Sequence, residues 1–402
     1  MAGQKEYHIG EALYKPAVHH ESFEKLWETK WKALCKMGVY PFMFGCIQDF
    51  EPVAQSIITK GLKEPYDWDE YAQVFFPKAE ELASVAEEAK TAGELGKASE
   101  HYLRSSAVYR IARFPIPRSE KQRLAWTKGK EAFYKGAALL PTPIHQVLIP
   151  HTHALAPSEP VDSTIPINLL LPPSASPANP APLVLILTGL DGYRTELAIW
   201  QPGFAAKGVA TAVVEIPGTG DSPADARDPT SPDRQWSSVL DWVAAEKKID
   251  GRRVVVWGFS TGGYYALRMA HTHAERLMGA VSLGGGADFM FDEGWLRHVD
   301  QLEYPFDLRG ALAEKFGYGS DVERFTAEAK GRFSLVADGT LQRDLWVALE
   351  NGMPKMARVV KGTKHMGEPE SFVVVLRWIH ELLGLQGDAI DQLKMLPSKM
   401  KY

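Results

Sequence analysis

The stretch Val254–Ala270 reads VVVWGFSTGGYYALRMA and decides the fold. Its apolar start, Val254–Trp257, predicts a short buried strand, and Tyr264–Ala270 predicts a helix. Between them lies a Gly-x-Ser-x-Gly turn centred on Ser260. A strand, a tight turn and a helix in this order are typical of a nucleophile elbow, which exposes the serine hydroxyl at the end of a sheet.

There is a physical reason for the two glycines of this turn. The turn holds the serine in a strained backbone conformation, and side chains at Gly258 and Gly262 would crowd the neighbouring strand and helix. Ser260 would stand at a helix N-terminus, where free N–H groups favour developing negative charge. The alternative is a glycine-rich turn without chemistry, and the flanking strand and helix make it the weaker interpretation.

The composition describes a soluble chain that is large enough for two domains. The chain has 402 residues, 45% of them hydrophobic, and a formal net charge of -5. This mild acidity gives no support to nucleic-acid binding. Cys35 and Cys46 lack a CxxC partner, so we expect free thiols and no metal site. Because we find neither an apolar signal region after Met1 nor a membrane-spanning stretch, we expect a cytoplasmic protein without membrane contact.

The first 140 residues show helical periodicity. Apolar spacing predicts four helices there, over Phe23–Met37, Tyr66–Lys90, Gly93–Arg113 and Glu120–Leu140. Pro77 should kink or divide the second of them. The aromatic side chains of these helices either pack the helices together, which we favour, or line a substrate pocket. We expect residues 1–140 to form a helical cap domain.

From Pro141 onward, strands alternate with helices. We predict strands over His145–Ile149, Ile165–Leu171, Leu183–Leu187, Val209–Ile216, Val254–Trp257, Leu277–Leu283 and Ala357–Val360. We predict helices over Glu196–Lys207, Trp236–Glu246 and Ser371–Leu383, whereas Phe333–Ala337 is too short to separate a strand from a helix end. This alternation implies an α/β fold with a mostly parallel sheet covered on both faces. We expect a catalytic domain over residues 141–390 and a tail over residues 391–402.

A serine nucleophile needs a base, and chain position selects one histidine. His365 lies in a loop between the last predicted strand and the last helix. The histidine follows the serine in the chain order that accompanies this elbow. His365 would take the proton of Ser260 and return it to the leaving group.

An oxyanion hole should lie beside the serine. One donor should be the N–H of Thr261, which follows the nucleophile, and the second should come from the loop after an earlier strand. That loop is Thr188–Arg194, in which we choose the N–H of Leu190. Within it, Asp191, Tyr193 and Arg194 either bind substrate or hold the loop by hydrogen bonds, and we weigh the two alternatives equally.

A third group should orient His365. Asp338 and Asp344 precede it in the chain and are the nearest candidates. Each has a simpler interpretation, since Asp338 stands beside Gly339 in a turn and Asp344 precedes an apolar run as a helix cap does.

At these residues the chain resembles the α/β-hydrolases related to the fermentation-respiration switch protein. It is most similar to fungal members that shorten polyketide chains in pigment and melanin biosynthesis. The resemblance rests on the elbow and on six further segments, Tyr109–Pro115, Thr188–Arg194, Glu215–Asp221, Asp292–Leu296, Tyr304–Phe306 and Lys361–Gly367. It implies an α/β-hydrolase core, a helical cap, no cofactor, homodimers, and hydrolysis of ester or carbon–carbon bonds in ketone-bearing small molecules.

One departure from this family concerns the acid. The family places a strand and an Asn-Gly-x-x-Asp motif, whose aspartate is the triad acid, between segments that resemble Ala337–Leu341 and Leu345–Gly352. Here these two segments are almost contiguous, so no position matches the acid. Three explanations stay open: Asp338 or Asp344 substitutes, the chain is repurposed toward condensation, isomerisation or acyl transfer, or a gene-model error has removed part of an exon.

The sequence therefore favours a serine hydrolase that acts on a polyketide-like ketone or ester through Ser260 and His365. A non-hydrolytic biosynthetic catalyst on the same fold and a binding protein with an inactive site are the alternatives.

Overall fold

One six-stranded sheet organises the molecule. The computed structural model describes residues 15, 17–341, 365–367 and 370–395. The strands are β1 (His145–Pro150), β2 (Thr164–Leu170), β3 (Ala181–Leu187), β4 (Ala210–Val214), β5 (Ile249–Phe259) and β6 (Gly279–Leu283). All six were predicted within a few residues, except that β5 begins earlier than expected. The seventh predicted strand, Ala357–Val360, lies outside the described residues.

The sheet is mostly parallel, as predicted. Its strand order is β1-β2-β4-β3-β5-β6. The four strands from β4 to β6 run parallel, whereas β2 pairs antiparallel with β4, and β1 pairs antiparallel with β2. Every residue of β3 and β4 is buried, which is typical of strands covered on both faces. This confirms the α/β fold with a mostly parallel sheet that the alternation of strands and helices indicated.

Fifteen α-helices are described. Those of the N-terminal region are α1 (Phe23–Leu26), α2 (Lys32–Met37), α3 (Ile47–Thr59), α4 (Trp68–Gln73), α5 (Phe76–Thr91), α6 (Leu95–Ala112) and α7 (Glu120–Ala137). A π-helical turn, Trp27–Trp31, joins the first two. Those that follow are α8 (Arg194–Leu197), α9 (Gln201–Ala205), α10 (Ser231–Ala245), α11 (Thr261–Thr272), α12 (Glu293–Leu296), α13 (Leu308–Lys315), α14 (Val322–Phe333) and α15 (Glu370–Leu383). Short 3-10 helices lie at Val18–His20, Ala198–Trp200, Ala274–Arg276, Phe289–Phe291, Val299–Gln301 and Ala389–Met395.

Prolines stand at the points where two helical tracts of the sequence are divided in the structure. Pro77 stands in the first turn of α5, so the tract Tyr66–Lys90 is divided there, as predicted. The single helix predicted over Glu196–Lys207 is wrong, because it breaks into α8, a 3-10 turn and α9. Pro202 occupies the first turn of α9, where its missing N–H costs nothing. The ambiguous stretch that begins at Phe333 is the end of α14 and a turn.

Two apolar layers cover the sheet. Leu185 and Val256 point into the layer that contains α10 and α11. Ile186 and Trp257, one residue further along each strand, point into the layer that contains α9 and α15. This alternation follows from the two-residue period of a strand. It fixes β5, and hence the turn that follows it, between two helical layers.

The N-terminal helices have an aromatic core of their own. Trp31, Phe42 and Tyr71 are buried in it together with Phe114 and Phe306. The aromatic side chains of these helices thus pack mainly against one another, which is the alternative we favoured. Phe306 comes from the region after β6, so the part of the chain that follows the sheet also contributes to this core.

The predicted domain limits stay predictions, but their surroundings are clear. Helix α7 ends at Ala137, and β1 begins at His145. The predicted tail starts inside the 3-10 helix Ala389–Met395, where Gln392 is buried and its amide nitrogen lies 2.7 Å from Nε2 of His380. Within the described ranges, the helices are all too short or too polar to cross a lipid bilayer.

Candidate active site

Ser260 stands at the junction of β5 and α11, in the predicted context. Strand β5 ends at Phe259, and α11 begins at Thr261. The backbone of Ser260 has φ 51° and ψ -119°, a conformation that costs roughly 1–3 kcal/mol for a residue with a side chain. Its N–H donates to the carbonyl of Leu283 at 2.7 Å, so the end of β6 helps to hold the strained turn. The serine is only partly buried.

The glycines of the elbow are required by close backbone approach. A Cβ atom at Gly258 would lie 2.1 Å from the carbonyl oxygen of Gly262. A Cβ atom at Gly262 would lie 2.3 Å from the carbonyl oxygen of Thr188, at the end of β3. Both separations are far below van der Waals contact, which confirms the predicted crowding. The elbow therefore fits only without these two side chains.

His365 faces the serine. Its Nε2 lies 2.8 Å from Oγ of Ser260, although 105 residues separate the two in the chain. Gly284, directly after β6, makes room for the histidine. It has φ +71°, and a Cβ atom there would lie 3.2 Å from Cε1 of His365. The structure thus brings together the two residues that the sequence selected as nucleophile and base.

The surroundings of His365 favour the neutral imidazole. The residue is exposed to solvent, but many protein atoms lie around its ring. Burial lowers the pKa of His365 below its ordinary value of 6.5, against the opposite influence of the carboxylates of Glu303 and Asp191. A neutral imidazole can accept the proton of the serine hydroxyl. The backbone N–H of His365 donates a hydrogen bond to Oε1 of Glu303 at 3.0 Å.

The structure places Asp338 with an arginine and away from the histidine. Nη1 of Arg268 donates to Oδ2 of Asp338 at 3.0 Å, and Arg268 also binds Asp233. Among the described residues, no hydrogen bond or ion pair joins Asp338 to His365. The assignment of Asp338 as triad acid stays a prediction, and its carboxylate is engaged by a nearly buried guanidinium. Asp344, the other candidate, lies outside the described residues.

The predicted oxyanion loop lies beside the nucleophile. A Cβ atom at Gly189 would lie 3.6 Å from Cβ of Ser260, and the loop closes through a hydrogen bond from Gly189 N–H to the carbonyl of Gly192 at 3.1 Å. Leu190 is buried within it. Thr261 is the first residue of α11, where the backbone N–H has no partner inside the helix. The loop and the helix N-terminus thus flank Ser260.

Asp191 is the centre of a polar cluster that the sequence did not predict. Its Oδ2 accepts hydrogen bonds from the hydroxyls of Tyr40 and Tyr304, and its Oδ1 accepts one from Nη2 of Arg110 at 3.3 Å. Burial and the charge of Asp191 raise the pKa of both tyrosines well above the ordinary value. No spacing in the sequence indicates this cluster, because its members come from distant segments.

Tyr193 and Arg194 anchor the loop in the protein interior. Both side chains are fully buried. Arg194 forms ion pairs with Glu215 at 2.5 Å and with Asp221 at 2.7 Å. The guanidinium of Arg113 lies 3.7 Å from the ring centre of Tyr193. These contacts favour loop support, the second of the two alternatives, while substrate binding by Tyr193 and Arg194 stays an untested prediction.

In the part of the chain that the structure describes, no group of three or more histidine, cysteine, aspartate or glutamate side chains is placed to hold a metal ion. Cys35 and Cys46 are both buried and form no disulfide bond.

The known proteins to which the chain is similar include hydrolases and esterases. The chain is 28% identical over 251 residues to hydrolase LUC6 of Fusarium sp, a match that covers 57% of this chain and 58% of that protein. It is 27% identical over 265 residues to 20-hydroxy-prefusarin hydrolase FUS2 of Gibberella moniliformis, covering 61% of each. It is 24% identical over 269 residues to esterase FrsA of Pectobacterium atrosepticum, covering 66% of this chain and 61% of that protein. The matches span about three fifths of these relatives.

A solved structure and a family model complete the comparison. The crystal structure of 2,6-dihydroxy-pseudo-oxynicotine hydrolase superposes with a TM-score of 0.56 at 20% sequence identity and covers 76% of each chain, which supports the fold. The model of the family described as esterase FrsA-like matches residues 66–353, more than half of the chain. By this match, the chain belongs to the esterase FrsA-like family of α/β-hydrolases.

Proposed function

We propose that the chain is a serine hydrolase that cleaves an ester bond, or a carbon–carbon bond beside a ketone, in a polyketide-like small molecule. One observation carries the proposal: Oγ of a strained Ser260 lies 2.8 Å from Nε2 of His365. Relatives named as hydrolases and esterases support the reaction class. The printed name of one of them, 20-hydroxy-prefusarin hydrolase, supports the substrate class.

The first half of the proposed reaction forms an acyl-enzyme. Oγ of Ser260 attacks the substrate carbonyl carbon, and its proton passes to Nε2 of His365. The carbonyl electron pair moves to the oxygen, which the N–H groups of Leu190 and Thr261 stabilise. When the intermediate collapses, the bond to the leaving group breaks. The protonated His365 gives its proton to the leaving oxygen or carbon.

The second half regenerates the serine. His365 accepts a proton from water, whose oxygen attacks the acyl carbon. The bond to Oγ of Ser260 breaks, and the proton returns to Oγ. For carbon–carbon cleavage the leaving group is an enolate, which a ketone next to the broken bond stabilises. Neither half consumes an oxidant, a reductant or a cofactor.

A fluorophosphonate probe tests the nucleophile. We expect intact-protein mass spectrometry to show one probe adduct on the parent, and none on Ser260→Ala or His365→Ala. Ser158→Ala and His153→Ala are matched controls, since Ser158 is exposed and His153 forms a surface pair with Asp241 at 2.7 Å. Both controls should keep the adduct. A folded parent that takes no probe would favour a non-hydrolytic catalyst or a binding protein.

Product analysis then tests the bond. Incubation with aryl esters and with β-diketone polyketides, followed by mass spectrometry, should reveal a carboxylic acid together with an alcohol or a ketone. A product of unchanged or increased mass would indicate isomerisation or condensation instead. Cytoplasmic location, homodimer formation and the absence of nucleic-acid and membrane partners stay predictions from the sequence.

A further inference from the structure

The segment Gln301–Phe306, here named the 303 segment, joins three parts of the molecule. Its start is held by the N-terminal region, since the N–H of Ala17 donates to the carbonyl of Gln301 at 3.1 Å. Its end, Phe306, is buried in the aromatic core of the N-terminal helices. Between these anchors, Tyr304 donates a hydrogen bond to Asp191 of the oxyanion loop. The segment is thus fixed at both ends and in the middle.

Glu303 lies inside this fixed segment and contacts the proposed base. Its Oε1 accepts the hydrogen bond from the backbone N–H of His365 at 3.0 Å. The side chain is half-buried, so its charge is only partly screened by solvent. Among the described residues, Glu303 and Asp191 are the two carboxylates whose charge acts on the His365 ring. Asp191 is already engaged by two tyrosine hydroxyls and Arg110.

We propose that Glu303 is a positioning residue, which holds the backbone of His365 so that the ring faces Ser260 and stabilises the protonated imidazole during catalysis. This inference rests on the proposed function. It supplies an acid for the site without the strand and aspartate that the sequence lacks. The order Ser260, Glu303, His365 along the chain is the order of serine, acid and histidine that accompanies this elbow.

The contact explains how Glu303 can act without touching the ring nitrogens. A hydrogen bond to the backbone fixes the place of the histidine residue. The nearby negative charge favours the imidazolium that forms when Ser260 loses its proton. Because the contact is to the backbone, Glu303 should contribute less than an acid bonded directly to the ring, whose loss costs about 10⁴ in rate.

The test separates charge from shape by measuring the rate of fluorophosphonate labelling against pH. Glu303→Gln keeps an acceptor oxygen and the side-chain length but removes the charge. We expect its maximal labelling rate to fall roughly tenfold, the equivalent of one pKa unit, and the acidic limb of its profile to move to lower pH. Glu303→Asp, which keeps the charge, should retain the limb of the parent. Glu323→Gln, on the surface of α14, is the matched control and should match the parent.

Several outcomes would overturn the inference. One is a Glu303→Gln profile that coincides with that of the parent. Another is an equal shift of the limb in Glu303→Asp, because the charge would then not be the cause. A third is the full effect in Asp344→Asn and none at Glu303. Glu303→Ala provides a second neutral variant, and whichever neutral variant is folded by circular dichroism must show the shift.

The failure of the proposed function looks different. If the parent takes no probe at any pH, the serine is not activated, and both the function and the role of Glu303 fail together. If the parent is labelled at Ser260 and the Glu303 variants behave as the parent does, only the role of Glu303 fails.

Discussion

Nη2 of Arg113 donates to Oε2 of Glu196 at 2.7 Å, and both side chains are buried. This pair joins the C-terminal end of α6 to α8, which begins at the last residue of the predicted oxyanion loop. Burial opposes ionisation of Glu196, but Arg113 and Arg110 hold its pKa below the ordinary value. Nη1 of Arg113 also donates to the carbonyl of Asp191 at 2.9 Å. One guanidinium thus ties the helical region to the loop beside the nucleophile.

Removal of Arg113 should therefore destabilise the fold and slow the reaction of Ser260. Arg113→Met removes the ion-pair partner of the buried Glu196, and we expect a loss of about 3–5 kcal/mol in the free energy of unfolding. Lys97→Met, which breaks an exposed pair with Glu94, should cost less than about 1 kcal/mol. Urea unfolding followed by circular dichroism measures both. Equal losses in the two variants would contradict this account of the buried pair.

The elbow glycines provide a prediction about packing. Gly262→Ala places a methyl group where only 2.3 Å separates it from the carbonyl oxygen of Thr188. We expect it to cost about 3 kcal/mol or more and to abolish labelling of Ser260, since β3 and α11 must move apart. Gly331→Ala is the matched control, because it lies in α14 with no atom within 4 Å of the new Cβ. It should stabilise the fold by about 0.5–1 kcal/mol. Thermal unfolding that ranks them otherwise would refute the argument.

The strands and the turn that holds Ser260 were predictable because their signals are local. The apolar run before Ser260 and the glycines around it specify a buried strand and a tight turn within a few residues. The position of His365 beside Ser260 was predictable because chain order, rather than distance, selects this histidine. The same sequence gave no prediction of α3. Its interior proline, Pro52, weakens the helical pattern. The helix start is capped instead by Asp49, whose carboxylate accepts a hydrogen bond from the backbone N–H of Cys46.

The polar surroundings of the site were not predictable, because they depend on contacts between distant segments. Tyr40 lies 151 residues from Asp191, and Tyr304 lies 113 residues from it. Tyr40 lies in none of the segments that carry the family resemblance, and Tyr304 lies in one of them without any indication of its partner. Tyr193 and Arg194 are residue types that often bind ligands in loops. Here both side chains are buried, Arg194 against Glu215 and Tyr193 against Arg113. A sequence shows which side chains a loop carries, whereas tertiary packing decides which of them face the substrate.

The pairing of Asp338 with Arg268 leads to a prediction about the acid. Asp338→Asn should lower the free energy of unfolding by about 1 kcal/mol, because the partly exposed carboxylate gives up one charged hydrogen bond. It should leave the rate of Ser260 labelling within twofold of the parent. Asp233→Asn, which removes the other partner of Arg268, is the comparison and should behave alike. A hundredfold loss of labelling in Asp338→Asn alone would identify Asp338 as the triad acid.

The pKa of His365 determines how the reaction should depend on pH. Burial holds that pKa below 6.5, and the base acts only when the imidazole is neutral. As the pH falls, protonation blocks transfer of the serine proton, so labelling of Ser260 should decline with a midpoint below 6.5 and stay constant from there toward pH 8. The measurement is the rate of probe addition in a pH series. Circular dichroism at each pH separates loss of the fold from loss of reactivity. A midpoint above 6.5 in a folded protein would mean that the charges of Glu303 and Asp191 outweigh the burial of the ring.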